Sequence, residues 1–105
     1  MNQETVLMNK IRIKLSEYGV CFRANVGKVR MIDGRYFDTG LPKGFSDLFG
    51  VKANNGQVFF VEVKTDTGKV RPEQIQFINR MKELGALAGV ARSVEDAIDI
   101  VEGRK

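Results

Sequence analysis

Histidine and tryptophan are absent from the 105 residues, cysteine occurs once and proline twice. With no His and a single Cys21, a zinc site lacks its usual ligands, and no intramolecular disulfide can close. A hard, oxygen-ligated metal survives this exclusion, because carboxylates and carbonyls suffice for it. No apolar run approaches the roughly 20 residues of a membrane span, and the polar start MNQET has no signal-peptide character, so a cytoplasmic setting is expected. Repeats, low-complexity tracts and long linkers are missing too. Residues 1–105 are therefore expected to form one domain with one modest core.

The charge excess is small, +4 from 17 Lys and Arg against 13 Asp and Glu. Its distribution says more. Arg23, Lys28, Arg30, Arg35 and Lys43 share one stretch whose only acids are Asp33 and Asp38. Such a segment suits a phosphate backbone, and equally suits a solvated hairpin with ordinary surface charges.

Thr5 to about Tyr18 reads as a helix, with Val6 or Leu7, Ile11, Leu15 and Tyr18 on one stripe and Gly19 as its stop. Residues 20–25 are β-prone, and residues 28–32 with Tyr36 and Phe37 predict a hairpin about Asp33-Gly34. A Gly- and Pro-rich loop follows. Residues 47–51 and 58–64 then flank Asn54-Asn55-Gly56, a strong hairpin signal. Pro72 suits the first turn of a helix whose apolar residues are Ile75, Ile78, Met81 and Leu84, closed by Gly85. Residues 87–91 read as a short buried strand, and Ser93 with Asp96 opens a last helix to about Glu102. The expected class is α/β (α+β): a central mixed sheet flanked by helices, in the order α-β-β-β-β-α-β-α. Residues 87–91 are expected parallel to 58–64 across the helical crossover.

The strand VFFVEVK, residues 58–64, carries two charges inside an apolar run. Burying either one unpaired would cost several kcal/mol, roughly. Alternation resolves part of the conflict: Phe59, Val61 and Val63 share one face, and Phe60, Glu62 and Lys64 the other. With Asn55-Gly56 as a two-residue turn, Phe49 falls opposite Glu62 and Asp47 opposite Lys64. Asp47 and Glu62 then become diagonal neighbours, roughly 7–8 Å apart at Cα and able to reach one metal ion. A slip of one residue would separate them. The Glu-x-Lys pattern alone is weak, since composition predicts about 0.6 chance occurrences. An exposed Asp47–Lys64 ion pair also fits.

The stretch PKGFSDLFGV, followed by VFFVEVKTDTGKVRPEQIQFINRMKELGA, resembles the PD-(D/E)xK nuclease superfamily. More closely it is similar to the VRR-NUC (virus-type replication-repair nuclease) family. The likeness rests on Gly-x-Ser-Asp at Gly44 to Asp47, Glu-Val-Lys at Glu62 to Lys64 and Arg-x-x-Gln at Arg71 to Gln74. It covers residues 40 to 102 well and the first 40 more loosely. The proline of the superfamily name is displaced to Pro42, with Phe45-Ser46 directly before the acid.

The resemblance implies a restriction-endonuclease-like core and a Mg²⁺- or Mn²⁺-dependent deoxyribonuclease. Asp47, Glu62 and the Val63 carbonyl would ligate the metal, and Lys64 would orient or help deprotonate the attacking water. Gln74 would bond that water or position Lys64. An acid of the first helix, Glu4 rather than Glu17, would complete the site; a first-turn acid favoured by the helix dipole is the plainer reading of Glu4. Lys69 and Arg71, beside the site, are phosphate-contact candidates, as are Lys43, Arg23 and Arg30 in the basic stretch. So small a chain has little surface for reading bases, which favours branched DNA such as four-way junctions or flaps. A homodimer would suit junctions, with residues 20–38 as its expected interface. The setting implied is replication, repair or recombination in a bacterial or phage-infected cell. A non-catalytic nucleic-acid-binding module and an interaction protein with surface acids are the competing readings.

Overall fold

Two strands of branched and aromatic residues, β4 (Leu48–Lys52) and β5 (Val58–Val63), form the centre of the sheet in the computed structural model, which describes residues 2–105. Before them come α1 (Gln3–Leu15), β1 (Gly19–Arg23), β2 (Lys28–Arg30) and β3 (Tyr36–Asp38). After them come α2 (Pro72–Glu83), β6 (Leu87–Ala91) and α3 (Val94–Val101). The main sheet has the order β1-β4-β5-β6, antiparallel except for the β5–β6 pair, which is parallel as the α2 crossover requires. A mixed sheet flanked by helices is thus what the sequence forms.

The expected element order was one strand short. Residues 28–38 supply two strands, which pair with each other and stand as a separate ribbon. Its turn is Ile32–Gly34 rather than Asp33-Gly34 alone, closed by Met31 N–H donating to the Arg35 carbonyl at 2.7 Å. The β4–β5 turn is also longer than expected. Val51 faces Val58 and Lys52 N–H donates to the Gln57 carbonyl at 2.9 Å, so residues 53–56 form the loop. Phe49 consequently faces Phe60 instead of Glu62. The shift is two residues, which preserves parity and leaves every side chain on its expected face.

Those two faces are packed differently. Phe59, Val61 and Val63 meet Met8, Ile11 and Leu15 of α1 and Ala97, Ile100 and Val101 of α3. Each such buried side chain contributes about 1.5–3 kcal/mol. Gly50 makes room for this layer: a Cβ there would lie 2.5 Å from the Phe59 ring and 1.9 Å from the Val20 carbonyl oxygen. The opposite face packs Phe60, Ile78 and Ala88 with Phe45, Phe49 and Phe77. Phe45 sits at the hub, its ring centre 4.8 Å from that of Phe77 and 5.7 Å from those of Phe49 and Phe60.

Two helix stripes differ from expectation. Asn2 caps α1 by accepting the Thr5 N–H at 2.8 Å, so the helix starts early and ends at Leu15, with Met8 buried and Val6 exposed. Tyr18 lies beyond the helix but still packs on the core, its hydroxyl donating to Glu102 at 2.5 Å. In α2 the inward stripe is Gln74, Phe77, Ile78 and Met81, while Ile75 and Leu84 are exposed. The Phe45–Phe60–Phe77 packing selects that stripe, and it turns Gln74 inward.

Candidate active site

Glu62 ends the second face of β5, past the phenylalanine layer, and is 2% exposed. The β4–β5 register, extended by one pair, sets Asp47 directly opposite Glu62. Asp47 is held by the strand it faces: its Oδ2 accepts the Val63 N–H at 2.9 Å. In an antiparallel pair a residue exchanges both of its backbone bonds with the same neighbour, so the Val63 carbonyl leaves β5 on this same side. Lys64 N–H turns the other way and donates to the Ala91 carbonyl of β6 at 3.0 Å.

The two oxygens of Glu62 have unlike surroundings. Oε2 accepts a hydrogen bond from Gln74 Nε2 at 3.1 Å and lies 3.7 Å from Lys64 Nζ, whose side chain is 14% exposed. Oε1 is buried with no hydrogen-bond partner. Such an acceptor is costly unless a cation or solvent meets it. The other buried side-chain polar atom without a partner among the described residues is Ser46 Oγ, next to Asp47 in sequence.

Burial pushes the Glu62 carboxyl up to about 8, and the nearby charge of Asp47 pushes the same way. Lys64 opposes this rise, and Glu4 adds to it. Glu4, partly buried in the first turn of α1, is therefore close enough to act on Glu62 through space. Among the described residues, no group of three or more His, Cys, Asp and Glu side chains gathers into a metal cage. The donor set is two carboxylates and one carbonyl side. That fits Mg²⁺, which is held by one or two carboxylates plus waters and substrate oxygens.

Gln74 bonds the same Glu62 oxygen that Lys64 approaches. It is 4% exposed, and its Oε1 accepts the Arg71 N–H at 2.9 Å, which directs its Nε2 to Glu62. One side chain thus ties the start of α2 to the central carboxylate. Gly44 brings the preceding loop against that same helix start. Its φ is +94, a conformation L side chains rarely adopt, and a Cβ there would lie 2.4 Å from the Glu73 carbonyl oxygen.

The expected phosphate contacts are surface residues. Lys43, Lys69, Arg71, Arg23 and Arg30 are all exposed. Lys43 Nζ and Arg71 Nε approach the same Glu73 oxygen, at 3.8 and 3.3 Å. Arg23 pairs with Leu48 across β1 and β4, next to Asp47, whereas Arg30 belongs to the separate ribbon.

Arg92 was not legible in the sequence. Its Nη1 donates to the carbonyls of Thr65 and Gly68, at 2.5 and 2.9 Å, pinning the loop that follows Lys64. Gly68 of that loop lies over the aliphatic stem of Lys64, where a Cβ would meet Lys64 Cδ at 3.4 Å. Twenty-four or more residues separate these partners in sequence, so no local pattern announces them.

A family model of the VRR-NUC domain matches residues 3–95. A solved structure described as a VRR_NUC domain aligns over 100% of this chain and 100% of its own, with a TM-score of 0.64 at 20% identity. A likeness at that identity speaks for the fold alone. A search of curated proteins found no match.

Proposed function

The chain belongs to the VRR-NUC family, a nuclease-type fold, and from that premise we propose that it is a metal-dependent endonuclease acting on branched DNA. The observation that carries this reading is Glu62 Oε1, a buried carboxylate oxygen with no donor, beside a second carboxylate. Lys64 and Gln74 both engage Oε2, and a bound cation would supply the partner that Oε1 lacks.

Asp47, Glu62 and the Val63 carbonyl would hold Mg²⁺ or Mn²⁺. When bound, the ion polarises the scissile phosphate and lowers the pKa of a coordinated water. The residues supply the rest. Asp47 stays fixed on the Val63 amide and Glu62 on Gln74, so the donors need no rearrangement. Gln74 acts as a positioning residue. Lys64 orients the attacking water and offsets negative charge developing on the phosphoryl oxygens. Hydrolysis forms one P–O bond from water, breaks one bridging P–O bond, and returns a proton to the leaving oxygen. Glu4 adds negative potential that favours a cation at this spot. Lys43, Lys69, Arg71 and Arg23 line the approach for the phosphate backbone. Two copies related by a two-fold axis would present such sites to opposite strands of a junction.

The test is cleavage of four-way, flap, duplex and single-stranded DNA with Mg²⁺, Mn²⁺ or EDTA. Metal-dependent cutting of branched DNA, abolished in Asp47→Ala and Glu62→Ala, is the expected result. Tight binding with no cutting in either metal would replace the enzyme by a binding module.

A further inference from the structure

Between Ala24 and Asp47 the chain leaves the sheet and returns to the point it left. Ala24 N–H donates to the Asp47 carbonyl at 2.8 Å, so both limbs of the excursion flank the candidate site. Thr39 N–H donates to the Gly27 carbonyl at 2.9 Å and closes the base. Beyond it stands the β2–β3 ribbon, hydrogen-bonded to no strand of the main sheet. Every residue from Lys28 to Asp38 is exposed.

This ribbon nevertheless carries Val29, Met31, Ile32, Tyr36 and Phe37, all large and all exposed. Ile32, in the turn at its tip, is 109% exposed. A lone two-stranded ribbon gains little stability from such residues, and a cluster of them marks a contact surface. Charge selects the partner. Lys28, Arg30 and Arg35 stand on the ribbon, Arg23 at its root and Lys43 on the returning limb. The two acids are engaged locally: Asp33 with Arg35 at 2.7 Å, and Asp38 accepting the Gly40 N–H at 2.8 Å. A two-fold contact between copies would set this positive excess against itself, whereas DNA complements it.

We propose that the 28–38 ribbon is a DNA arm, with Lys28 and Arg30 following phosphates and Met31-Ile32 wedging into the base stack. Apolar wedges of this kind unstack a base step and kink the duplex, and they do so most easily beside a branch. The eight steps along the chain from Ala24 to Ile32 reach up to about 25 Å from the site, on the order of seven base-pair steps. The choice of DNA as partner rests on the nuclease reading, which deepens here into a preference for deformable DNA.

The experiment uses the full chain carrying Asp47→Ala, in EDTA, so that binding is read without cutting. The probes are a synthetic four-way junction and a linear duplex, each with 2-aminopurine at internal base steps. Binding is expected to raise the junction's 2-aminopurine fluorescence as the arm unstacks a step. Met31→Ser with Ile32→Ser, both at exposed positions, is expected to abolish that rise and weaken junction binding roughly tenfold, with an unchanged salt slope. Lys28→Gln with Arg30→Gln is expected instead to lower the slope of log K against log salt by about 1 to 2. Unchanged affinity and fluorescence in the tip variant overturns the proposal. So does failure of the parent to bind either DNA. A lower sedimentation coefficient for the DNA-free tip variant would assign the arm to a second copy and overturn it as well. Arm-dependent binding by a chain that never cuts DNA sinks the nuclease reading alone; normal cutting with arm-independent binding sinks the arm alone.

Discussion

One strand, β5, has two unlike faces. Phe59, Val61 and Val63 are each 0% exposed and closed over by α1 and α3, with apolar atoms on every side. On the other face Phe60 belongs to an aromatic layer, and then Glu62 is buried almost as deeply with one oxygen unmet. The first face is built for stability and the second gives some of it up. That difference supports the proposed site independently of the sequence motif, because Lys64 and Gln74 engage Oε2 and leave Oε1 without a donor.

Substitutions can separate the faces. The largest effect is expected from Glu62→Gln, which should lower DNA cleavage by roughly a thousandfold or more. Its midpoint of thermal unfolding in EDTA near pH 8 should match or exceed that of the parent. A clear loss of stability would show that the carboxylate is structural. Phe59→Ala on the opposite face should cost about 3–5 kcal/mol in urea denaturation, while the cleavage rate of the folded fraction holds.

The pH dependence of the metal-free protein gives a subtler contrast. Glu62 has its pKa raised from 4.5 to about 8, so between those values the folded chain keeps a proton that the unfolded chain has released. Stability should be full below about 4.5, fall as pH rises toward about 8, and level off beyond. Glu62→Gln should remove this slope, and Mg²⁺ should raise the melting temperature more at pH 8 than at pH 5. A metal-free parent with no decline across that window contradicts the electrostatics.

Gln74→Ala is expected to cut turnover about 10–100-fold through a mispositioned Glu62, with DNA binding nearly unchanged. The smallest change belongs to Glu73→Gln, which releases Lys43 and Arg71 from their shared, solvent-screened partner. DNA affinity should rise a few-fold, roughly, with a steeper salt dependence.

Most of this arrangement was legible because strand alternation is robust. The β4–β5 turn is two residues longer than the Asn55-Gly56 signal implies, yet Asp47 and Glu62 keep their common face because an even shift preserves parity. Only an odd slip would have parted them. Helix faces were less readable: Ile75 and Leu84 look like core by hydropathy, but the aromatic layer rotates α2 so that polar Gln74 points inward. Gln74's contact with Glu62 follows from that rotation, which no local spacing encodes. Arg92's hold on the loop after Lys64 spans distant segments and left no signal at all. The ribbon was visible as a hairpin, but its isolation from the main sheet emerges only from the pairing.

The account turns on whether Asp47 and Glu62 hold a divalent cation. Calorimetric titration of Mn²⁺ into the metal-free protein at pH 8, alongside Glu62→Gln, tests this most directly. The expected result is saturable binding to the parent, released by EDTA and lost in the variant, which stays folded. Equal binding by both proteins, or none by the parent with or without DNA, would contradict it.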